Sequence, residues 1–330
     1  MKNPRMVWMS MLMVFFCVFP VSTGFLRGVQ DFPLAKRIIT VDDEPGDADY
    51  TSINEAVNNA SPGDTIEVFS GTYYENYIVI SMKPGLKLIG IPHELGNGSD
   101  EGKPLINGQG MNEIIEVRSR NVSVTGFRME NSGGQDGLAV ILNGADNCTF
   151  SDNDLRYTAN GGGILGCGAN GCEIINNTIS GSSMRQGILL WGQHTLISNN
   201  TIDNVTEGIS IWGAWNCTYV GNTISHCYDY GIVIYGTGYI TVSQNTIEDN
   251  PTGILIDASI HNLIEKNNFI NNDQQAYFNQ ELGFTASNRW THNYWGQPRL
   301  LPYPIRGIVF ITIPWIQFDW RPALRPYDIS

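Results

Sequence analysis

The phrase Asn-Thr-Ile returns at Asn177-Thr178-Ile179, Asn200-Thr201-Ile202, Asn222-Thr223-Ile224 and Asn245-Thr246-Ile247, with Asn153-Asp154-Leu155 before it and Asn267-Asn268-Phe269 after it. Successive asparagines are 24, 23, 22, 23 and 22 residues apart. A second marker, Gly followed by an aliphatic residue, keeps step: Gly137-Leu138, Gly163-Ile164, Gly187-Ile188, Gly208-Ile209, Gly231-Ile232 and Gly253-Ile254. Two markers on one period define a repeat array. A unit of ~22 residues cannot bury a core alone, so its copies must stack on one another.

Within each period, apolar residues alternate over runs of three to five, the pattern of short strands. In Gly231–Tyr235, Ile232 and Ile234 face one way, Val233 and Tyr235 the other. Three such runs and three turns per period make one coil of a right-handed single-stranded parallel β-helix, an all-β fold with coils ~4.8 Å apart. The expected inward ladders are Ile188, Ile209, Ile232 and Ile254; then Leu190, Ile211, Ile234 and Ile256. A third runs through Ile179, Ile202, Ile224, Ile247 and Phe269, and a fourth through Phe150, Ile174, Ile197, Tyr219, Val242 and Ile264. A leucine-rich repeat has a similar period, but its Leu-x-x-Leu-x-Leu phrase is missing. The repeated Asn is expected to serve the scaffold, taking the left-handed conformation of a bend and stacking amides between coils. Asn121, Asn147, Asn204 and Asn216 also begin Asn-x-Ser/Thr sequons.

The ends differ from the array. Ile38–Asp43 reads as a strand, and Ile53, Ala56, Val57 and Ala60 give Tyr50–Ala60 the spacing of a short amphipathic helix, ended by Ser61-Pro62-Gly63-Asp64. Such a helix plugs one open end of the stack. After Asn272 the repeat fades, and Trp290, Tyr294, Trp295, Trp315, Phe318 and Trp320 crowd a proline-rich tail that is expected to cap the other end. The expected organisation is a β-helix over 38–285 and a capping segment over 286–330.

Residues 1–24 are of another kind. Lys2 and Arg5 precede an apolar run from Met6 to about Phe19, followed by Pro20 and Ser22-Thr23-Gly24. This is the form of a secretory signal peptide. An uncleaved anchor is the alternative, although the run falls short of the ~20 apolar residues that span a bilayer. The expected location is extracytoplasmic (secreted, periplasmic or cell surface), with membrane association only if the segment is retained. The formal charge of −13 repels phosphate backbones, so nucleic acid is not an expected partner.

Val41–Val79, with Tyr50-Thr51-Ser52-Ile53 and Ser61-Pro62-Gly63-Asp64-Thr65-Ile66, resembles the opening of pectin-lyase-like β-helix proteins. The coils resemble the parallel β-helix repeats of the NosD-type family, and they look like carbohydrate-binding and sugar-hydrolase modules. The resemblance covers roughly residues 38–285. It implies an extracytoplasmic β-helix with polysaccharide or copper ligands. Gly126–Asn131 looks like a segment of pectin methylesterases, but the Gln-Asp-Thr-Leu and Asp-Phe-Ile-Phe-Gly phrases of those enzymes are missing, and esterase activity is not expected.

Polysaccharide lyases and hydrolases of this fold work on the outer face of one strand stack. Four residues after each repeat Gly, the expected exterior column reads Ile141, Cys167, Trp191, Trp212, Tyr235 and Asp257. Trp191, Trp212 and Tyr235 form the candidate sugar-stacking face. Beside it Arg185, Glu207, Asp229 and Asp257 are the candidate catalytic groups, since a hydrolase needs two carboxylates ~5–9 Å apart and a lyase a base, with Ca²⁺ on carboxylates. The bland alternatives are aromatic packing on the sheet and solvated turn acids. Copper would need convergent Cys, Met or His. His194, His226, His261 and His292 are scattered, and Cys148, Cys172 and Cys217 share an inward ladder, so no residue is assigned as a metal ligand. A Cys148–Cys172 disulfide is geometrically possible between adjacent coils. The expected function is binding of extracellular or cell-surface polysaccharide through the aromatic face. The alternatives are a polysaccharide lyase or glycoside hydrolase, a NosD-like copper-delivery accessory protein, and a structural surface protein.

Overall fold

A computed structural model describes residues 36–96, 98–133, 137–156, 162–182, 184–280 and 288–329. The segment read as a signal peptide lies outside them. The described chain winds as a right-handed parallel β-helix of about 10 turns. One coil shows the plan: strands Leu196–Ser198, Thr201–Asp203 and Glu207–Trp212 are followed by Thr218–Val220, Thr223–Ser225 and Tyr230–Tyr235 of the next coil. Corresponding strands pair in parallel and form three sheets of 11, 10 and 11 strands. The first sheet runs from Ile38–Val41 to Arg289–Thr291, the second from Thr72–Tyr73 to Tyr294–Trp295, and the third from Ile78–Ile80 to Ile313–Asp319. Only the last pair, Tyr303–Val309 with Ile313–Asp319, is antiparallel among the described strands.

The four apolar ladders form in the expected register, as in Ile188↔Ile209↔Ile232↔Ile254 and Phe150↔Ile174↔Ile197↔Tyr219. Their side chains are buried in one continuous core. The repeat glycines have a steric reason. A Cβ on Gly208 would stand 2.5 Å from the Gly231 carbonyl oxygen and 2.4 Å from an Ile224 methyl, so a side chain there would push coils apart.

The Asn ladder serves the scaffold, but by a division of labour that the repeat phrase hid. Asn153, Asn177, Asn200, Asn222, Asn245, Asn267 and Asn293 are buried and carry no positive φ. The left-handed conformation belongs to the residue before each: Asp152, Asn176, Asn199, Gly221, Gln244, Lys266 and His292. From Asn177 on, each ladder Oδ1 accepts from the backbone N–H and the amide of the Asn one coil back, as Asn245 does from Asn222 at 2.9 Å and 2.9 Å, while Asn153 Oδ1 accepts from the Phe127 N–H. Cys148, Cys172 and Cys217 take the same part at another turn. Their sulfurs accept from the backbone N–H of Val122, Cys148 and Thr195, and Asn262 and Asn288 continue the column. Cys148 and Cys172 are free thiols, without the disulfide that their neighbouring coils allow.

At the N-terminal end the helix is Ile53–Asn59, with Ile53, Ala56 and Val57 buried on the core. Ser52 caps it, and the Glu75 carboxylate accepts from the N–H groups of Ile53 and Asn54. Burial would raise the Asp64 carboxyl, but the N–H groups of Arg37 and Ser61 and the Arg37 guanidinium hold it below the usual range. At the C-terminal end Trp290, Tyr294 and Trp295 are buried, with Trp295 stacked on Phe269 and Tyr303. Trp315, Phe318 and Trp320 keep much of their surface in solvent. The Asn ladder ends on Asp319, a fully buried carboxylate that accepts from the N–H groups of His292, Asn293 and Arg321 and from Trp295 Nε1. No described helix is long and apolar enough to cross a membrane.

Candidate functional site: the outer face of the third sheet

From Gly162 on, the third sheet has the longest strand of each coil, and its outward residues fall into columns set by register. Trp212 pairs with Tyr235, and Tyr235 with Asp257. The ring centroids of Trp191 and Trp212 are 6.3 Å apart and edge-on, and those of Trp212 and Tyr235 are 5.4 Å apart and tilted. The three expected aromatics therefore touch across three coils. They are not equally open: Trp191 and Trp212 are half-buried, Tyr235 is exposed, and Trp212 Nε1 is buried with no hydrogen-bond partner among the described residues.

One member of the expected column is corrected. Cys167 is preceded by Asn143, while Ile141 pairs with Leu165 one step inboard. The register offset between these coils is 24 residues, as in Val140↔Ile164, whereas Gly137 and Gly163 are 26 apart. Gly137 is thus out of phase, and Ala139 stands where the repeat glycine would be.

The candidate acids occupy the same face. Glu207 lies in register between Gln186 and Tyr230. Its half-buried carboxylate accepts from Ser210 Oγ at 2.5 Å and Gln186 Nε2 at 3.2 Å. Asp229 immediately precedes Glu207's register partner and is exposed, so the two acids belong to neighbouring coils. Asp257 lies a further coil along, at the end of the aromatic column. Arg185 is exposed at the mouth of the preceding turn, and its carbonyl accepts from the Glu207 N–H. These acids do not gather as a cage: Glu207, Asp229 and Asp257 are not among the sets of three described ligand groups that lie close enough to hold one ion.

Sequence reasoning missed Tyr230, which follows Asp229 and stands beside Glu207. Burial raises its phenol, and the carboxylates of Asp229, Glu207 and Asp257 raise it further. A phenol kept protonated among three acids is a hydrogen-bond donor or proton source. The repeat placed Tyr230 one residue before the Gly marker, a position outside the alternation used to read exterior columns.

A second aromatic run was also missed. At the turn joining the third sheet to the first, Trp215 lies 5.8 Å from Tyr239, and Tyr239 stacks on His261 at 5.2 Å. All three are exposed. Gly238 makes this contact possible, since a Cβ there would be 2.6 Å from the Trp215 ring. Tyr239 and His261 hold φ of 58° and 56°, at a turn position that Asn147, Gly171 and Asn216 occupy on other coils. A left-handed Tyr costs ~1–2 kcal/mol relative to residues suited to it.

Elsewhere a cavity of about 670 Å³ lies between the C-terminal hairpin and the last coils, lined by Trp290, Trp315, Phe318 and Trp320 among others. It contains none of the candidate acids.

Clusters of His, Cys, Asp and Glu among the described residues do not bring a copper-type donor set together. No set of three close ligand groups includes a His or a Cys. His194 and His261 share a turn column, but Asn216 and Tyr239 stand between them. The buried thiols serve the backbone.

The sequence matches the family described as periplasmic copper-binding protein (NosD) over residues 57–300, and the chain belongs to that family. No match was found among curated protein sequences. Among solved structures it is similar to an alginate lyase from Paenibacillus sp. str. FPU-7, at 14% identity and TM-score 0.59, covering 88% of this chain and 98% of that one. A GH136 lacto-N-biosidase from Eubacterium ramulus aligns at 14% identity and TM-score 0.53, over 79% of this chain and 62% of that one. A DFA-IIIase from Arthrobacter chlorophenolicus A6 aligns at 14% identity and TM-score 0.53, over 74% of this chain and 79% of that one. These likenesses are of fold. The chain spans less than two thirds of the length of the lacto-N-biosidase.

Proposed function

We propose that this NosD-family β-helix is an extracytoplasmic glycan-binding protein that holds a polysaccharide on the outer face of its third sheet. The observation that carries the reading is the run of touching aromatics on three consecutive coils, Trp191, Trp212 and Tyr235, with the hydrogen-bonded Glu207 carboxylate on the same face. Sugar rings present C–H faces that stack on aromatic faces and hydroxyls that bond to carboxylates, and a repeating polymer suits a repeating surface. Trp215, Tyr239 and His261 extend the aromatic surface around the corner of the same coils. The likeness to an alginate lyase and a lacto-N-biosidase supports a saccharide ligand in general, and membership of a periplasmic family and the N-terminal segment support an extracytoplasmic location.

Glycan-array screening of the secreted chain, followed by calorimetry, tests this reading. Tyr235→Ala and Tyr239→Ala, both exposed, should each weaken binding at least tenfold without changing the melting temperature by more than a few degrees. Wild-type affinity in both variants would end it.

A second reading is favoured by Tyr230. With Glu207 and Asp229 on neighbouring coils and a phenol held protonated between the acids, the face carries the elements of a glycoside hydrolase or polysaccharide lyase. Release of reducing ends or unsaturated products, abolished in Glu207→Gln, Asp229→Asn or Tyr230→Phe, would establish it. Binding without turnover on every bound glycan would remove it.

A further inference from the structure

Three segments of the chain meet at the N-terminal end of the stack, far in sequence from the acids of the third sheet. Asp42, Asp43 and Glu44 follow the first strand, Gly71 and Thr72 begin the second sheet, and Glu94 comes from the loop after Lys87–Gly90. Asp42 is fully buried, and neither of its carboxylate oxygens has a hydrogen-bond partner among the described residues. Asp43 Oδ1 and Glu44 Oε2 are also buried without a partner, although Asp43 Oδ2 accepts from the Thr72 N–H at 3.0 Å. Four buried carboxylate oxygens that face other carboxyl groups, with no N–H donor of their own among the described residues, are a costly arrangement for a fold that satisfies its polar groups elsewhere. Gly71 is shaped around it: at φ 150°, a Cβ there would be 1.8 Å from Asp43 Oδ1. Among the described residues no Lys or Arg forms an ion pair with any of these acids.

One ligand oxygen from each of Asp42, Asp43 and Glu44 lies within 4.8 Å of the others, and the same holds for Glu44, Glu94 and Asp100. Oxygens at 2.3–2.6 Å from one Ca²⁺ are at most ~5 Å apart across its coordination sphere, so this is the spacing of ligands about a common ion. The donor set is oxygen alone, which suits Ca²⁺ and not copper.

We propose that Asp42, Asp43, Glu44 and Glu94 form a calcium site that ties the loop after the first strand to the loop of residues 91–101 and closes the N-terminal end of the β-helix. Tyr73 lies in the field of the same acids, close enough to act as an optical reporter.

The test uses the full chain, stripped with EDTA and dialysed. Calorimetry with CaCl₂ should find saturable uptake of Ca²⁺, and thermal melts above pH 7 should rise by several degrees on its addition. Tb³⁺ should show emission sensitised by tyrosine and displaced by Ca²⁺. In Asp42→Asn the calcium-dependent rise should vanish, while the melt in EDTA stays at or above that of wild type, because an isosteric amide removes an unpaired charge. Glu94→Gln, which changes a more accessible ligand, should weaken Ca²⁺ binding at least tenfold and carries the same readout if the first variant does not fold. Absence of Ca²⁺ uptake by the wild type would overturn the proposal, as would calcium-dependent melts and Tb³⁺ emission that are unchanged in both variants.

Discussion

The smallest unit of this scaffold is a buried amide that bonds to two coils at once. Asn222 accepts from Asn200 through Oδ1 and donates to Ile197 and to the next Asn through Nδ2. Asn222→Ala strands the Asn200 N–H, takes one acceptor from the Asn200 amide, which keeps the Ile174 and Ser198 carbonyls, and leaves the Ile197 carbonyl and the Asn245 Oδ1 short of a donor, and should cost about 3 kcal/mol in chemical denaturation. Tyr219 gives the opposite sign. It is fully buried in the first-sheet ladder, and its hydroxyl has no N or O partner among the described residues, only the weak thiol of Cys217 beside it. Tyr219→Phe keeps the ring and removes the stranded group, so stability should rise by about 1 kcal/mol in the same measurement. At this scale the sequence told which residues repeat. It did not tell which of two adjacent residues took the bend, because Asn176-Asn177 and Asn199-Asn200 offer an Asn at both positions. Asp152, Gly221, Gln244, Lys266 and His292, which occupy the bend where the phrase carries no second Asn, hint at the answer.

Coils, turns and the terminal hairpin carry the next set of consequences. Tyr239 occupies a bend that Asn or Gly fills elsewhere. Tyr239→Asn should therefore hold or raise the melting temperature, with a gain of up to ~1 kcal/mol, while glycan affinity falls. A variant that loses both stability and binding would mean that the ring is packing and no more. Asp319 closes the Asn ladder with several N–H donors in a fully buried place. Asp319→Ala should cost 3 kcal/mol or more, roughly the price of orphaning that many donors, whereas Asp319→Asn keeps an acceptor and should cost clearly less; urea melts of the two distinguish them. The aromatic column was readable from the Gly marker because three coils of nearly equal length separate its members. Asn143 in place of Ile141 was not, since Gly137 lies two residues out of phase with a strand register that backbone pairing alone sets.

Over the whole molecule, stability should depend on pH through two acids of opposite sign. Asp42 holds its proton more tightly folded than unfolded, about 7 against 3.8, so its contribution is largest below pH 3.8 and is lost as pH rises to about 7. Asp64 is lowered, so its contribution is present above 3.8 and is lost as pH falls through its folded value. Melts in EDTA should therefore decline from mildly acid pH toward neutrality, and Ca²⁺ should flatten that decline. A chelated protein that gains stability over the same interval would contradict the Asp42 assignment.

The sequence by itself determined the right-handed β-helix, its inward ladders, the helix at one end and the aromatic cluster at the other. Those follow from a period and an alternation, which are properties of neighbours along the chain. It also placed Trp191, Trp212 and Tyr235 in one column, since equal spacing becomes adjacency when coils stack. Tertiary structure alone decided which rings are exposed, that Tyr230 stands among three acids, that Trp215 reaches Tyr239 across Gly238, and that Asp42 and Glu94 meet. Those contacts join loops of unequal length and side chains that lean across columns. Their geometry is fixed by packing between coils, which no local pattern encodes.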